Sequence, residues 1–170
     1  MATETRGFKD LGEVISRSSC YCLNENPNAP FANLFMGDDT LLLKSDADEQ
    51  LILHLEFQDA VKLASIRIGA PAGETAPRLV KLYTNRPNLG FSDASDIEPT
   101  QTLEFEDPDA LAGAGRDVEL RFVKFQRVSS LTIFVEENHG DEVTALSSLK
   151  LFGERIAGTN MNELKKVSDE

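Results

Sequence analysis

The chain has no tryptophan, two tyrosines, two cysteines and two histidines among its 170 residues, and each scarcity closes off some chemistry. Cys20 and Cys22 are too few and too close for a disulfide framework, and no Asn-x-Ser/Thr acceptor occurs, so nothing marks the chain as secreted. The two histidines stand without a G-x-S-x-G elbow, an H-E-x-x-H pair, a P-loop or a G-x-G-x-x-G turn. That leaves little for hydrolysis, nucleotide binding or hydride transfer. No apolar run approaches the length that crosses a bilayer, and MATETRGFKD at the start lacks the apolar core of a signal peptide. A soluble intracellular protein is expected. Basic residues are also short: 17 Lys and Arg against 29 Asp and Glu give a net charge of −12. Neutralising phosphates takes clustered cations, so neither nucleic acid nor an anionic membrane is expected as a partner.

What is present is enough for one ordinary core, since a domain of this size buries roughly 70% of its unfolded surface. Its centre is Val118 to Val135, VELRFVKFQRVSSLTIFV. Val118, Leu120 and Phe122 alternate with Glu119 and Arg121, and Leu131, Ile133 and Val135 repeat the alternation, as half-buried strands do. Phe122, Val123 and Phe125 put apolar side chains on both faces, which predicts a bulge or a doubly buried strand. Two neighbouring core strands are expected here.

Earlier in the chain, Phe8, Leu11, Val14 and Ile15 share a helical face, with Asp10 and Glu13 spaced as a cap and its reciprocal partner. NENPNAPFANLFMGDD reads as an ordered loop in which Phe31, Leu34, Phe35 and Met36 are buried. Strands are expected at Leu51 to Phe57, Val61 to Ile68 and Leu79 to Thr84, then a short edge strand at Leu103 and Phe105, and a last one over Val143 to Phe152. Turn chemistry fills Gly69 to Pro77, Asn85 to Gly90, the acidic Ser92 to Pro99 and Asn138 to Asp141. Met161, Leu164 and Val167 recur at helical spacing near the end. Short strands without helices between them predict an all-β antiparallel sandwich or jelly roll with short terminal helices. Residues 1–7 are expected as a flexible lead, 8–167 as a single domain and 168–170 as a tail.

The chemistry-bearing residues invite bland readings. Cys20 and Cys22, on one side of an extended segment with Tyr21 on the other, suit small hydrophobes near the core; a redox role needs an exposed thiol of lowered pKa. His54 lies opposite Leu53 and Leu55, as a surface or satisfied polar residue, and His139 is a turn residue. The clusters Asp46, Asp48, Glu49 and Glu106, Asp107, Asp109 lack EF-hand spacing. Asp46 is placed to cap a turn before Gln50, and Asp48 and Glu49 could pair with Arg121 or Lys124 if their strands lie side by side. From Pro87 to Gly115 there are seven carboxylates and no Lys or Arg, a solvated acidic face or a surface for a basic partner.

Residues 120 to 138, LRFVKFQRVSSLTIFVEEN, resemble the signature of the PITH domain, the C-terminal module of proteasome-associated thioredoxin-like proteins. KSDADEQLIL resembles a second signature, and GFKDL, CLNE, EPTQ and TNMNELKKV extend the likeness in one order from Gly7 to Val167. The resemblance implies a jelly-roll sandwich of the galactose-binding-like type, binding to the regulatory particle of the 26S proteasome, and residence in cytoplasm and nucleus. It is to a stand-alone member of that family. Without C-x-x-C, the disulfide reductase activity of the thioredoxin-linked members does not carry over, and with so few aromatics no sugar site is expected. The functional expectation is therefore a non-enzymatic, cofactor-free, metal-free module, monomeric on its own, that acts as adaptor or modulator on the proteasome. Its candidate contact residues are Asp46, Asp48, Glu49, Arg121, Lys124 and Arg127. The alternatives are a structural subunit of another assembly, or a jelly roll that binds calcium or a small ligand.

Overall fold

The computed structural model describes residues 8–156. The helical pattern of Met161, Leu164 and Val167, the lead at 1–7 and the tail at 168–170 fall outside the described residues. In chain order the elements are β1 (Lys9–Asp10), β2 (Tyr21–Leu23), β3 (Leu43–Lys44), β4 (Leu51–Gly69), β5 (Pro77–Thr84), α1 (Phe91–Asp96), β6 (Gln101–Glu104), β7 (Arg116–Glu119), β8 (Val128–Asn138), β9 (Ala145–Leu146) and β10 (Ser148–Arg155).

The two strands expected at Leu51 to Phe57 and Val61 to Ile68 are one, β4, of 19 residues. No glycine or proline interrupts them, so the chain bends where a turn was not encoded. Glu56 stands opposite Ser130 of β8 and Val61 opposite Val128, so residues 57–60 bulge against Ser129 alone. A second irregularity follows: Leu63 pairs with Gly153 and Ser65 with Phe152, leaving Ala64 extra. That extra residue shifts the inward phase from Val61 and Leu63 to Ile66 and Ile68, all of which are buried.

The bends let β4 serve two layers. Its first half lies between β2 and β8, with β5 and β6 beyond; its second half lies between β10 and β7, with β1 outside β10. All pairings are antiparallel, and β3 with β9 forms a separate small ladder. Between the layers sits one apolar core, including Leu53, Leu63, Leu82, Phe125, Leu131 and Leu151. This is the expected antiparallel jelly-roll sandwich.

Three local expectations change. β7 and β8 are not neighbours; both pair with β4, on its second and first halves respectively. The residues joining them form a single 3-10 turn, Phe122–Lys124, with Phe125 fully buried while Phe122 and Val123 are exposed. The acidic Ser92 to Pro99 is not all turn, because Phe91–Asp96 is helical, started by the Asp93 carboxylate accepting from the Gly90 N–H at 3.1 Å. Its signal was Ile52, an apolar residue on the face otherwise read as polar. Ile52, Tyr83, Leu89, Ala94 and Phe134 make a second buried cluster under α1, and the Tyr83 hydroxyl donates to the Ala94 carbonyl. Finally, Phe8 to Ile15 is not one helix; only Gly12–Val14 makes a single 3-10 turn. Lys9–Asp10 pairs with β10, and Asp10 accepts from the Gly12 N–H at 2.8 Å, closing an Asx-type turn instead of capping a helix. Leu11, Val14 and Ile15 are buried all the same.

The Asn- and Pro-rich loop before β3 is ordered as expected. Phe31 and Leu34 are buried in a 3-10 turn, Phe31–Phe35, and the Asn33 amide donates to the Leu42 carbonyl at 2.8 Å. Met36 departs from the pattern at 60% exposure.

Candidate functional site

His54 is buried on β4, its ring stacked on Tyr21 across the β2 ladder at 4.8 Å between centroids. Nδ1 is 3.0 Å from the Thr132 hydroxyl and Nε2 is 3.0 Å from the Glu56 carboxylate, so both ring nitrogens are engaged. This is a satisfied core histidine, one of the two readings its strand position allowed. His139 sits in the turn after β8, where its N–H donates to the Glu74 carbonyl. Among the described residues, no group of three His, Cys, Asp or Glu side chains is arranged to hold a metal ion.

Cys20 and Cys22 pack against the main core from one side of the segment, while Tyr21 faces His54 on the other. They border an open groove of about 390 Å³ that Arg17, Phe31, Phe35 and Met36 also line. Burial pushes both thiols above the ordinary cysteine value, Cys22 the more strongly with the Glu25 charge added, while for Cys20 a hydrogen bond from the Glu56 backbone and the Arg17 charge offset part of the rise. At neutral pH both are thiols, poor nucleophiles and poor redox centres.

The six candidate contact residues do not form one surface. Asp46, Asp48 and Glu49 lie in the bend before β4, at the end of the sandwich where the Gln50 amide donates to the Glu136 carbonyl. Within that bend it is Asp48, not Asp46, that accepts from the Gln50 N–H, at 3.0 Å. The Asn24 side chain holds the bend by donating to the Asp48 carboxylate and the Gln50 carbonyl and accepting from the Ala47 N–H. Arg121, Lys124 and Arg127 are at the opposite end, since β8 runs between them from Val128, opposite Val61, to Val135, opposite Leu51. At the usual rise, that stretch is about 23 Å long. No ion pair between the two groups exists among the described residues.

The basic end is built more firmly than its exposed side chains suggest. Gln101 of β6 accepts from the Arg121 N–H at 2.8 Å and donates to the Glu119 carbonyl, tying the end of β7 to β6. The Gln126 amide donates to the Phe122 carbonyl at 2.6 Å across the 3-10 turn. Asn85, in the left-handed region at φ 59°, donates to the Arg127 carbonyl and accepts from the Ser129 and Ser130 N–H groups. These bonds gather Arg86, Arg121, Lys124 and Arg127 at one end, with Val123 83% exposed and Phe122 37% exposed among them. Phe8 packs on Phe122 with centroids 5.7 Å apart. Sequence reasoning placed Phe122 and Val123 in the core; the signal against that was the run of three apolar residues in four, which no single strand face can bury.

Comparison with known proteins gives a consistent result. The model of the PITH domain matches residues 1–169. Thioredoxin-like protein 1 of Schizosaccharomyces pombe is 40% identical over 169 residues, which cover 95% of this chain and 57% of that protein. PITH domain-containing protein 1 of Danio rerio is 32% identical over 151 residues, covering 85% of this chain and 70% of the relative. The chain thus spans little more than half the length of the first of these. Among solved structures, the family 32 CBM from C. perfringens NanJ in complex with galactose superposes with a TM-score of 0.64 at 10% identity, over 85% of this chain and 98% of that one. At that identity the likeness is one of fold, a galactose-binding-like jelly roll.

Proposed function

This chain belongs to the PITH domain family, and we propose that it is a non-enzymatic protein-binding module that docks on the regulatory particle of the 26S proteasome as an adaptor or modulator. The observation that carries the reading is the family match across residues 1–169, which takes in both signature stretches in their proper order. The geometry is in keeping with it. His54 is spent on the core, both thiols are pushed toward their protonated forms, and the groove beside them is open. A relative named for thioredoxin does not make this chain a reductase, because its own cysteines are spaced C-x-C. Docking between folded proteins takes an interface of roughly 1,200–2,000 Å² with a polar rim, which a small sandwich supplies from one end or one face. The proposal includes a monomeric module working in cytoplasm and nucleus, where proteasomes are found.

The test is affinity purification of the tagged chain from its own cells at physiological salt, with mass spectrometry of everything retained. Stoichiometric recovery of regulatory-particle subunits is expected. Stoichiometric recovery of a different assembly, with proteasome subunits absent, would overturn the proposal.

A further inference from the structure

We infer that the end of the sandwich bearing Arg86, Arg121, Lys124 and Arg127 around the Phe122–Val123 knuckle is the docking face, and that its occupant is an acidic protein segment with apolar side chains between its carboxylates. The inference rests on the reading of the chain as a proteasome-docking module and adds the chemistry of the contact.

Charge is the first argument. In a protein of net charge −12, carboxylates outnumber the cations they can neutralise. Lys62, Arg67, Arg78, Lys81, Lys150 and Arg155 each lie against a Glu or Asp. Arg86, Arg121, Lys124 and Arg127, like Lys9, Arg17, Lys44 and Arg116, belong to none of the ion pairs formed among the described residues, and what sets them apart is that three of them flank one turn. Glu119, on β7 two residues before Arg121, is the carboxylate nearest to the turn in the chain. An acidic partner is repelled by most of this molecule and attracted at this end, so the charge distribution sets its orientation as well as its approach.

The second argument is the knuckle. An exposed valine alone says nothing. Here Val123 is 83% exposed at the tip of a turn whose next residue but one, Phe125, is fully buried, and Phe122 beside it leans on Phe8. An apolar anchor ringed by cations matches the usual layout of a contact, with a dry centre and a charged rim. The third argument is rigidity. Gln101, Gln126 and Asn85 spend their side chains on the backbone of this end, and the arginine and lysine side chains on this fixed frame join no ion pair formed among the described residues. Such a surface loses little backbone freedom on binding.

The experiment compares the full chain with Val123→Asp and with the triple reversal Arg121→Glu, Lys124→Glu, Arg127→Glu. Asp46→Lys with Glu49→Lys serves as a charge control at the other end, and thermal melts confirm that all are folded. Affinity for purified 26S proteasomes is expected to fall at least tenfold for the first two variants, to weaken as salt is raised for wild type, and to stay within twofold of wild type for the control. Wild-type binding that both variants retain would overturn the inference while the docking role stands. In parallel, amide NMR spectra of the chain are titrated with a synthetic peptide of alternating glutamate and leucine. Shifts confined to the Arg121 to Arg127 turn and its Arg86 neighbour, lost in Val123→Asp, are expected. If proteasomes do not bind but the peptide does so at this end, the docking role falls and the inference holds. No shifts, or shifts elsewhere, would overturn it. So would heparin binding as tightly as the peptide, or a dimer in solution that Val123→Asp dissolves.

Discussion

Gly153 is the residue on which the junction between β10 and β4 depends most sharply. At the Ala64 bulge the two strands approach so closely that a Cβ on Gly153 would lie 1.8 Å from the Lys62 carbonyl oxygen and 2.9 Å from its carbon, both backbone atoms that cannot swing aside. Gly153→Ala therefore leaves two escapes. Either β10 lifts away from β4, or the bulge is ironed out and Ile66 and Ile68 lose their inward phase. Overpacking of this kind costs about 1–3 kcal/mol, and about 1 kcal/mol more goes with each ladder hydrogen bond that the lifted strand gives up. A total of about 2–4 kcal/mol lowers the melting temperature of a domain this size by roughly 5–15 °C. Circular dichroism melts and urea titrations of wild type and variant measure it directly, and hydrogen exchange at Leu63 and Leu151 localises it. Val123→Ala, at a position 83% exposed, is the reference and is expected to change stability by less than about 0.5 kcal/mol. A shift below about 2 °C for Gly153→Ala, judged on the same scale, would mean that β10 gives way freely and that the bulge does not fix the phase of β4.

Further consequences can be measured on the same protein. Phe125→Ala empties a fully buried site and is expected to cost about 3–5 kcal/mol in urea unfolding. His54→Ala removes the partner of both Thr132 and Glu56 as well as the Tyr21 stack, at a cost of about 1–3 kcal/mol by the same assay. Iodoacetamide at neutral pH is expected to label Cys20 and Cys22 more slowly than free cysteine, with rates that climb as pH rises past the ordinary thiol value; a thiol that labels faster would reopen a redox role. Burial, with the Glu136 charge added, pushes the Tyr83 phenol up to about 12 from its ordinary value of 10.0. The folded state thus holds that proton more tightly than the unfolded chain. Its contribution to stability is complete below the unfolded value and disappears as pH rises through the folded one. An ultraviolet pH titration of wild type against Tyr83→Phe should place the ionisation that the substitution removes above the ordinary tyrosine value, and a removed ionisation at the ordinary value would contradict the burial argument.

Alternation in Leu51 to Phe57, Leu79 to Thr84 and Leu131 to Val135 was legible because each of those strands has a face pressed on the core. The short edge strand around Leu103 was legible from the turn chemistry on either side. What was not legible traces to particular residues. The joining of two runs into β4 depends on Gln58, Asp59 and Ala60, where a single aspartate without glycine or proline beside it does not separate a turn from a bulge. Helix α1 was hidden because serine and aspartate read as turn formers; what requires it is the far face of the sheet, where Ile52, Tyr83 and Phe134 need a cover. The exposed Phe122 and Val123 were assigned to a bulge or doubly buried strand by continuing the alternation of Val118 and Leu120, since hydrophobic patterning does not distinguish a buried side chain from one held out for a partner. The basic residues of the candidate site were found by position within a signature. Their separation from Asp46, Asp48 and Glu49 depends on strand order, which periodicity does not encode.

The shared strand has a consequence for how the molecule comes into being. As the chain is synthesised, Leu51–Gly69 emerges with only the short β2 already made: β8 must follow for the other edge of the first half, and β7 and then β10 for the second. Until then neither layer can close, because each needs the same strand, and a nascent chain carries a long apolar ribbon with most of its edges open. Pairings so distant in sequence make for slow formation once they are available. A chain cut before Ser148 keeps only β7 on the second half of β4, so truncation there should yield an aggregating polypeptide that chaperones retain, not half a module.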